Sequence, residues 1–292
     1  MSIVLEQPRV DALKNVMQLL RDWQYEGAPM QLHPGDLGWS WRFGPEALAA
    51  ALRVWSRNEQ TFAIGFLDSP DLLRLALAPG SYGDEDLAGQ LVADVTHPER
   101  GILPPGTAYV EARCGDLVPA MFREAGWKPD EAWTPLSRDL SGLVEPPGVR
   151  IELVGADLVP LRVAVQRAAF SNSTFSEDRW SMMASGVAYA DARCLLAFDA
   201  DNNAVAAITV WSAGQGKPGL IEPMGVHRDH GGHGYATAIT IAGAAALRDL
   251  GSSSAVVCTG SDNVGAVAAY KSAGFQALPE VRDWRREAST VL

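Results

Sequence analysis

The fold class that the sequence predicts is mixed α/β, arranged as two domains. Three observations carry it. The chain has 292 residues, 47% hydrophobic and 20% charged, enough for two ordinary cores, since single domains cluster near ~100–150 residues. Strand-like and helix-like hydrophobic periods alternate through both halves. Residues 141–149, SGLVEPPGV, break that pattern almost at the midpoint with Gly, Ser and a Pro-Pro-Gly run, and Pro and Gly are the strongest punctuators of regular structure. The expected division is 1–142 and 149–292.

In the first half the spacing predicts helices over 10–24 and 45–57, the second opening on Pro45, whose fixed φ suits a first turn. Strands are expected at 61–66, 72–78 and 107–113, and helices at 85–95 and 116–125. In the second half, VRIELVG at 149–155 alternates like a strand, and 158–170 has helical spacing at Leu161, Val165 and Ala168. CLLAFDA (194–200) and AVAAITVWS (204–212) read as a hairpin around Asp201-Asn202-Asn203, residues that tolerate turn conformations. A strand at 220–226 follows. An Ala-rich helix at 235–249 ends before Gly251, a good residue just past a helix end. SAVVCTG at 254–260 is a short buried strand, in which Cys258 reads as core. A helix at 263–273 stops at Gly274, and a last strand starts at Phe275.

The net charge of −11 argues against nucleic acid or an anionic membrane as main partner, because either needs a cationic face. Three cysteines, Cys114, Cys194 and Cys258, are odd in number and far apart, so a disulfide scaffold is not expected. No uncharged apolar run reaches the ~18 residues of a membrane helix, and the first fifteen residues lack a secretory pattern. A cytoplasmic protein is the expectation. His227, His230 and His233 share a spacing that invites a metal reading, but no Cys completes the set and only Asp229 is near, so no metal is expected.

The halves echo one another. FREAGW at 122–127 and YKSAGF at 270–275 each combine a helix end, Ala-Gly and an aromatic that opens a strand, at similar places in a similar element order. The most informative stretch is EPMGVHRDHGGHGYA, 222–236. A strand ends, glycines at 231, 232 and 234 turn the chain, and a helix begins. Such glycines let backbone N–H groups approach an anion, and a helix N-terminus adds free donors and partial positive charge. A dinucleotide fingerprint fits poorly, because this turn does not open a first βαβ unit.

The order strand, VHRDHGGHGYA, Ala-rich helix, buried strand, then Asn263 and YKSAGF resembles the GNAT superfamily of acyl-CoA-dependent N-acyltransferases over roughly residues 149–287. The family's loop pattern, Gln/Arg-x-x-Gly-x-Gly/Ala, lies on residues 231–236. Gly234 and Ala236 match, while Gly231 stands where the family carries Gln or Arg. The resemblance implies two GNAT-like domains, each a mixed, mostly antiparallel sheet flanked by helices, with the first a diverged, non-catalytic copy. It implies an N-acetyltransferase that moves acetyl from acetyl-CoA to a small-molecule amine by direct attack. The alternative is a GNAT-fold sensor or scaffold that binds acyl-CoA without catalysis, favoured by Gly231.

Residue by residue, the resemblance implies that backbone amides of Gly231, Gly232, His233, Gly234, Tyr235 and Ala236 hold the cofactor's pyrophosphate. Pantetheine would pair with backbone at Met224 and Val226, beside a strand that Pro223 marks as irregular. Asn263 is either a cofactor contact or a plain N-cap. Tyr270 is either a core aromatic or the general acid that protonates the departing thiolate. Glu222 is either a surface carboxylate or the general base. The acceptor pocket falls on residues 170–183, the segment joining the first two helices, with Phe170, Phe175, Trp180 and Trp211 as aromatic candidates and Glu177 and Asp178 as acids that would draw a cationic amine. The first half has Phe122 in the place of Tyr270, and three acids where a phosphate would sit, so coenzyme A is expected on the second half alone.

Overall fold

A computed structural model describes residues 2–288. The first half runs β1 (Val4–Glu6), α1 (Leu13–Asp22), α2 (Pro34–Ser40), α3 (Pro45–Ala51), β2 (Leu52–Arg57), β3 (Gln60–Ser69), β4 (Leu72–Leu77), α4 (Glu85–Thr96), β5 (Ala108–Glu111), α5 (Leu117–Glu124) and β6 (Lys128–Asp139). The second runs β7 (Arg150–Leu153), α6 (Val159–Ala169), α7 (Glu177–Ala184), β8 (Ala192–Phe198), β9 (Ala204–Ser212), β10 (Gly219–Val226), α8 (Tyr235–Asp249), β11 (Ser254–Gly260), α9 (Val264–Ser272), β12 (Gln276–Ala277) and β13 (Val281–Arg286).

The helix expected over 45–57 ends at Ala51, and Leu52–Arg57 is a strand. The Ala run sustains a helix, but Val54 and Trp55 favour a pleated surface. Trp55 is fully buried there, and its Nε1 donates to Asp94 at 3.0 Å. The echo between the halves is a shared helix terminus. Trp127 N–H donates to Phe122 O and Phe275 N–H to Tyr270 O, at 3.0 and 3.1 Å. Gly126 and Gly274 supply the left-handed residue, at φ 87° and 83°, and both helices therefore end in the same hydrogen-bonded cap.

The strands join one sheet in the order β1-β2-β3-β4-β5-β13-β6-β11-β10-β9-β8-β7, with β12 beside β6. All pairs are antiparallel except β4 with β5 and β10 with β11. The two halves exchange their last strands. β13, the last strand among the described residues, lies between β5 and β6, while the far part of β6 pairs with β11, from Trp133↔Gly260 to Asp139↔Ser254. The cores record the same exchange. Trp284 of β13 is buried in the core of the first half, and Leu136 and Leu140 in that of the second. A further core is shared, joining Leu13, Leu20 and Leu37 to Trp211, Met183 and Leu220. Gly35 and Gly38 let α2 close on Trp211, where an added Cβ would stand 2.6 and 2.5 Å from the indole side chain.

This interlock predicts the fate of a fragment. Residues 145–292 alone would lose β6, leaving β11 an open edge, and would expose Trp211. We expect that fragment to show no cooperative thermal transition by circular dichroism, whereas the whole chain does. A cooperative melt would mean that the second half folds without its exchanged partner strand.

Candidate functional site

The two parallel strand pairs are forks. β10 and β11 are paired only at Gly219↔Ala255 and Leu220↔Val256, so β10 runs on from Ile221 to Val226 without that neighbour. On its other side the register with β9 shifts between Ile221 and Met224, the irregularity that Pro223 announces by lacking an N–H. Met224 and Val226 therefore lie on the open arm, half-buried. Gly225 lets α6 close on this arm, since a Cβ there would be 2.7 Å from the Ala169 methyl.

Beyond Val226 a short turn of helix, Arg228–His230, leads to the glycines. Gly232 and Gly234 have φ of 81° and 79°, and no atom lies within 4 Å of a Cβ built at either. Gly234 is the N-cap of the 15-residue α8 and offers no side-chain cap, so the first-turn N–H groups of α8 keep no partner within the helix. Open space, free donors and the positive end of a long helix suit a pyrophosphate. Residues 231–236 thus fit the group that the sequence assigns to them. Asn263 acts as a cap, its Oδ1 accepting from Ala266 N–H at 3.1 Å.

The first half has the same fork, closed by its own chain. β4 and β5 pair from Leu72↔Tyr109 to Arg74↔Glu111 and then separate. The Gln31 side chain fills the gap, its Oε1 accepting from Leu77 N–H at 2.9 Å and its Nε2 donating to Leu77 O at 3.1 Å. Leu32 N–H donates to Leu75 O. At the start of α4 the Asp84 carboxylate accepts from Leu87 N–H at 2.9 Å, taking a donor that Gly234 leaves free in α8.

Tyr270 is buried, 5% exposed, beside Phe275. Burial, with the charges of Glu222 and Cys258, pushes its phenol well above the usual range, so it holds its proton at neutral pH. Glu222 sits on β10 at the mouth of the fork, its carbonyl fixed by the Trp211 Nε1–H at 2.6 Å. Desolvation, helped by Asp36 and Asp68 and opposed by Arg74 and Arg42, raises its carboxyl to about 7. The two residues that the sequence nominated are thus brought within one electrostatic field. Cys258, expected as core, is half-buried and accepts a hydrogen bond from Arg113 at 3.3 Å. Burial nevertheless holds its thiol at about 11, a poor nucleophile at neutral pH.

Glu222 and Cys258 line a chamber of about 410 Å³ whose other walls come from the first half and from β13. Six carboxylates face it, Glu26, Asp36, Asp68, Glu111, Glu222 and Asp283, against Arg74 and Arg113. Arg74 pairs with Asp36 at 2.8 Å and Glu111 at 3.1 Å, and Arg113 with Asp283 at 3.1 Å. Burial would lift Glu111, but these two guanidiniums hold it below the usual range. Burial prevails at Asp283, which rises to about 6, and at Asp36, which also rises. His33 closes the chamber's wall. Its Nδ1 accepts from Gly35 N–H at 2.9 Å, so Nε2 carries the hydrogen that meets Pro218 O across the halves at 3.2 Å. Burial lowers it to about 3, and it stays neutral.

The first-half residues of this chamber are absent from the sequence reading, which sought the acceptor pocket in residues 170–183. A lone Arg74 inside LLRLAL and the charged pair of Glu111 and Arg113 after a strand were the available signs, since buried charges demand partners. Of the aromatic candidates, Phe170 and Phe175 line a separate hollow of about 550 Å³ with Trp39 and Arg42. Trp211 is 1% exposed and belongs to the shared core. Trp180 packs edge-on to Tyr189 at 6.0 Å. Glu177 and Asp178 lie in the first turn of α7, where acids favour the helix dipole. His227 and His230 stack edge to face, and His233 lies beside Tyr235. No group of three or more metal-ligating side chains is arranged to hold an ion among the described residues.

Residues 161–275 match the acetyltransferase (GNAT) family. Solved structures similar over the chain include a tandem GNAT protein from the clavulanic acid biosynthesis pathway, with 18% identity, TM-score 0.61 and all of both chains covered. An acetyltransferase of the GNAT family from Colwellia psychrerythraea shares 14% identity at TM-score 0.61, with 98% of each chain covered. A GCN5-related N-acetyltransferase from Sphaerobacter thermophilus shares 16% at TM-score 0.57, covering 98% of this chain and 96% of that one. A comparison with curated protein sequences finds no match. Residues 161–275 thus match a GNAT domain, and the chain shares the tandem GNAT fold over its length. That domain match supports N-acyl transfer from an acyl-CoA. No helix among the described residues is long and apolar enough to cross a membrane.

Proposed function

We propose that the protein transfers acetyl from acetyl-CoA to a small-molecule amine, with residues 149–292 carrying the cofactor and the chemistry and residues 1–142 a diverged copy that binds no coenzyme A. The observation that carries this reading is the contrast between the two forks. One is open and followed by an uncapped, Gly-lined helix start; the other is filled by Gln31 and capped by Asp84. Backbone N–H groups of residues 231–236 would hold pyrophosphate, and the free arm at Met224 and Val226 would face pantetheine.

Glu222 accepts the proton of the acceptor ammonium, directly or through water. The amine nitrogen then bonds to the thioester carbonyl carbon, the carbon–sulfur bond breaks, the Tyr270 hydroxyl delivers its proton to the sulfur, and the extra proton on the new amide nitrogen passes through water to restore the phenol. The protonated thiol of Cys258 favours this direct attack over a covalent enzyme intermediate. The non-catalytic sensor reading would leave Tyr270 and Glu222 without a task.

The test is thiol release with acetyl-CoA and a panel of amines across pH. A protonated Glu222 cannot take a proton, so kcat/KM should fall as pH drops through about 7 and level off above it. Glu222→Gln should lower the plateau by roughly 10²-fold or more and erase the step near 7. A profile unchanged in the variant removes Glu222 as the base. Acetyl-CoA binding without thiol release for any amine would favour the sensor.

A further inference from the structure

Resting on the acetyl-transfer reading, we infer that the chamber between the halves is the acceptor site and that the acceptor carries a second cationic group besides the amine that reacts. The charge count comes first. Six carboxylates against two guanidiniums leave an excess of four acids around about 410 Å³. A singly charged amine at Glu222 leaves three of them unmatched, and unmatched charge in a partly dry chamber is costly. Burial raises the carboxyls of Asp283 and Asp36, and a bound cation would favour their charged forms.

A second observation is independent of charge. Ser254 lines the chamber, is 3% exposed, and its hydroxyl has no hydrogen-bond partner. A buried polar group without a partner points to a ligand or ordered water that supplies one. From Cys258 to Ser254 the chamber follows β11 over four residues, about 13 Å at ~3.3 Å each. That length suits an extended, flexible molecule with polar groups along it. The reacting nitrogen would lie at Glu222, and Asp68 and Asp283, supplied by the first half and by β13, would select for the second cation. The first half thereby takes part in specificity after losing its own cofactor slot.

The experiment is calorimetry on the full chain with 1,4-diaminobutane, n-butylamine and 2-phenylethylamine, with acetyl-CoA titrated separately. The diamine should bind at least tenfold more tightly than n-butylamine. Asp68→Asn, at a side chain 39% exposed and 3.6 Å from Arg74, should reduce that preference about tenfold while leaving acetyl-CoA binding unchanged, a pattern that a merely structural role would not give. Asp283→Asn should act in the same sense. Diamine and monoamine binding equally, a preference for the aromatic amine, or a diamine preference untouched in both folded variants would overturn the inference. The parental comparison decides the matter even if neither variant folds. Should the diamine preference hold while acetyl-CoA fails to bind, the chamber's selectivity stands and the acetyl-transfer reading falls.

Discussion

Tyr270→Phe should lower kcat by roughly 10²–10⁴ while leaving acetyl-CoA affinity nearly unchanged. The substitution keeps the ring, which is 5% exposed and packed on Phe275, and removes only the hydroxyl. A core role predicts little change in rate and a small change in melting temperature. A general acid predicts the reverse. The phenol suits the task because burial keeps it protonated at neutral pH, ready for a thiolate that needs a proton. The first half carries Phe122, without a hydroxyl, at the same position of the same helix cap. Steady-state thiol release on the best acceptor, with cofactor binding titrated apart, makes the measurement. A variant keeping more than about half the parental rate would assign the proton to a water molecule instead.

Gly234→Asp should abolish acetyl-CoA binding. Two effects act together. The residue sits at φ 79°, where a side chain is strained, and its carboxylate would enter the open space before α8 and take the N–H donors there, as Asp84 does before α4. A negative charge placed where a pyrophosphate should lie also repels it. The backbone strain costs about 1–3 kcal/mol, which a chain of this size tolerates, so loss of binding should occur in a folded protein. Calorimetry with acetyl-CoA, paired with a thermal melt, separates the two. A folded variant that binds within a few-fold of the parent would reduce the glycine turn to a connection.

The proposed cofactor side of the site is local in sequence, and its assignment to coenzyme A comes from the resemblance to the GNAT pattern. Glycines at fixed spacing, a helix start and a strand-breaking proline lie within residues 222–236, and short-range rules read them directly. The proposed role of Tyr270 likewise rests on that resemblance, since its spacing alone reads as a core aromatic. The acceptor side was not legible, because no local pattern joins Arg74, Glu111, Asp283 and Glu222. They meet only after β13 enters the sheet between β5 and β6, a pairing between distant segments that periodicity does not encode. The same limit explains the aromatic candidates. Trp211 was a reasonable pocket residue from its place on a strand, but α2 of the other half covers it completely. The boundary at 143–148 is visible as composition, yet it divides the chain without dividing the sheet.

That exchange ties the completion of the first half to the synthesis of residues 281–286. As a protein emerges from the ribosome, a self-contained N-terminal domain closes once its last strand is out. Here the slot between β5 and β6 stays vacant until residues 281–286 have been made. For the whole time that the second half is being translated, the first half carries two incomplete strand edges, the templates on which chains pair wrongly. The pairings that close it span more than a hundred residues, and such long-range contacts form slowly. A nascent chain arrested short of residue 280 is therefore not one finished domain followed by an unfinished one. The strand lent to the second half, β6, is made before that half begins, whereas the strand lent to the first half comes only with residues 281–286.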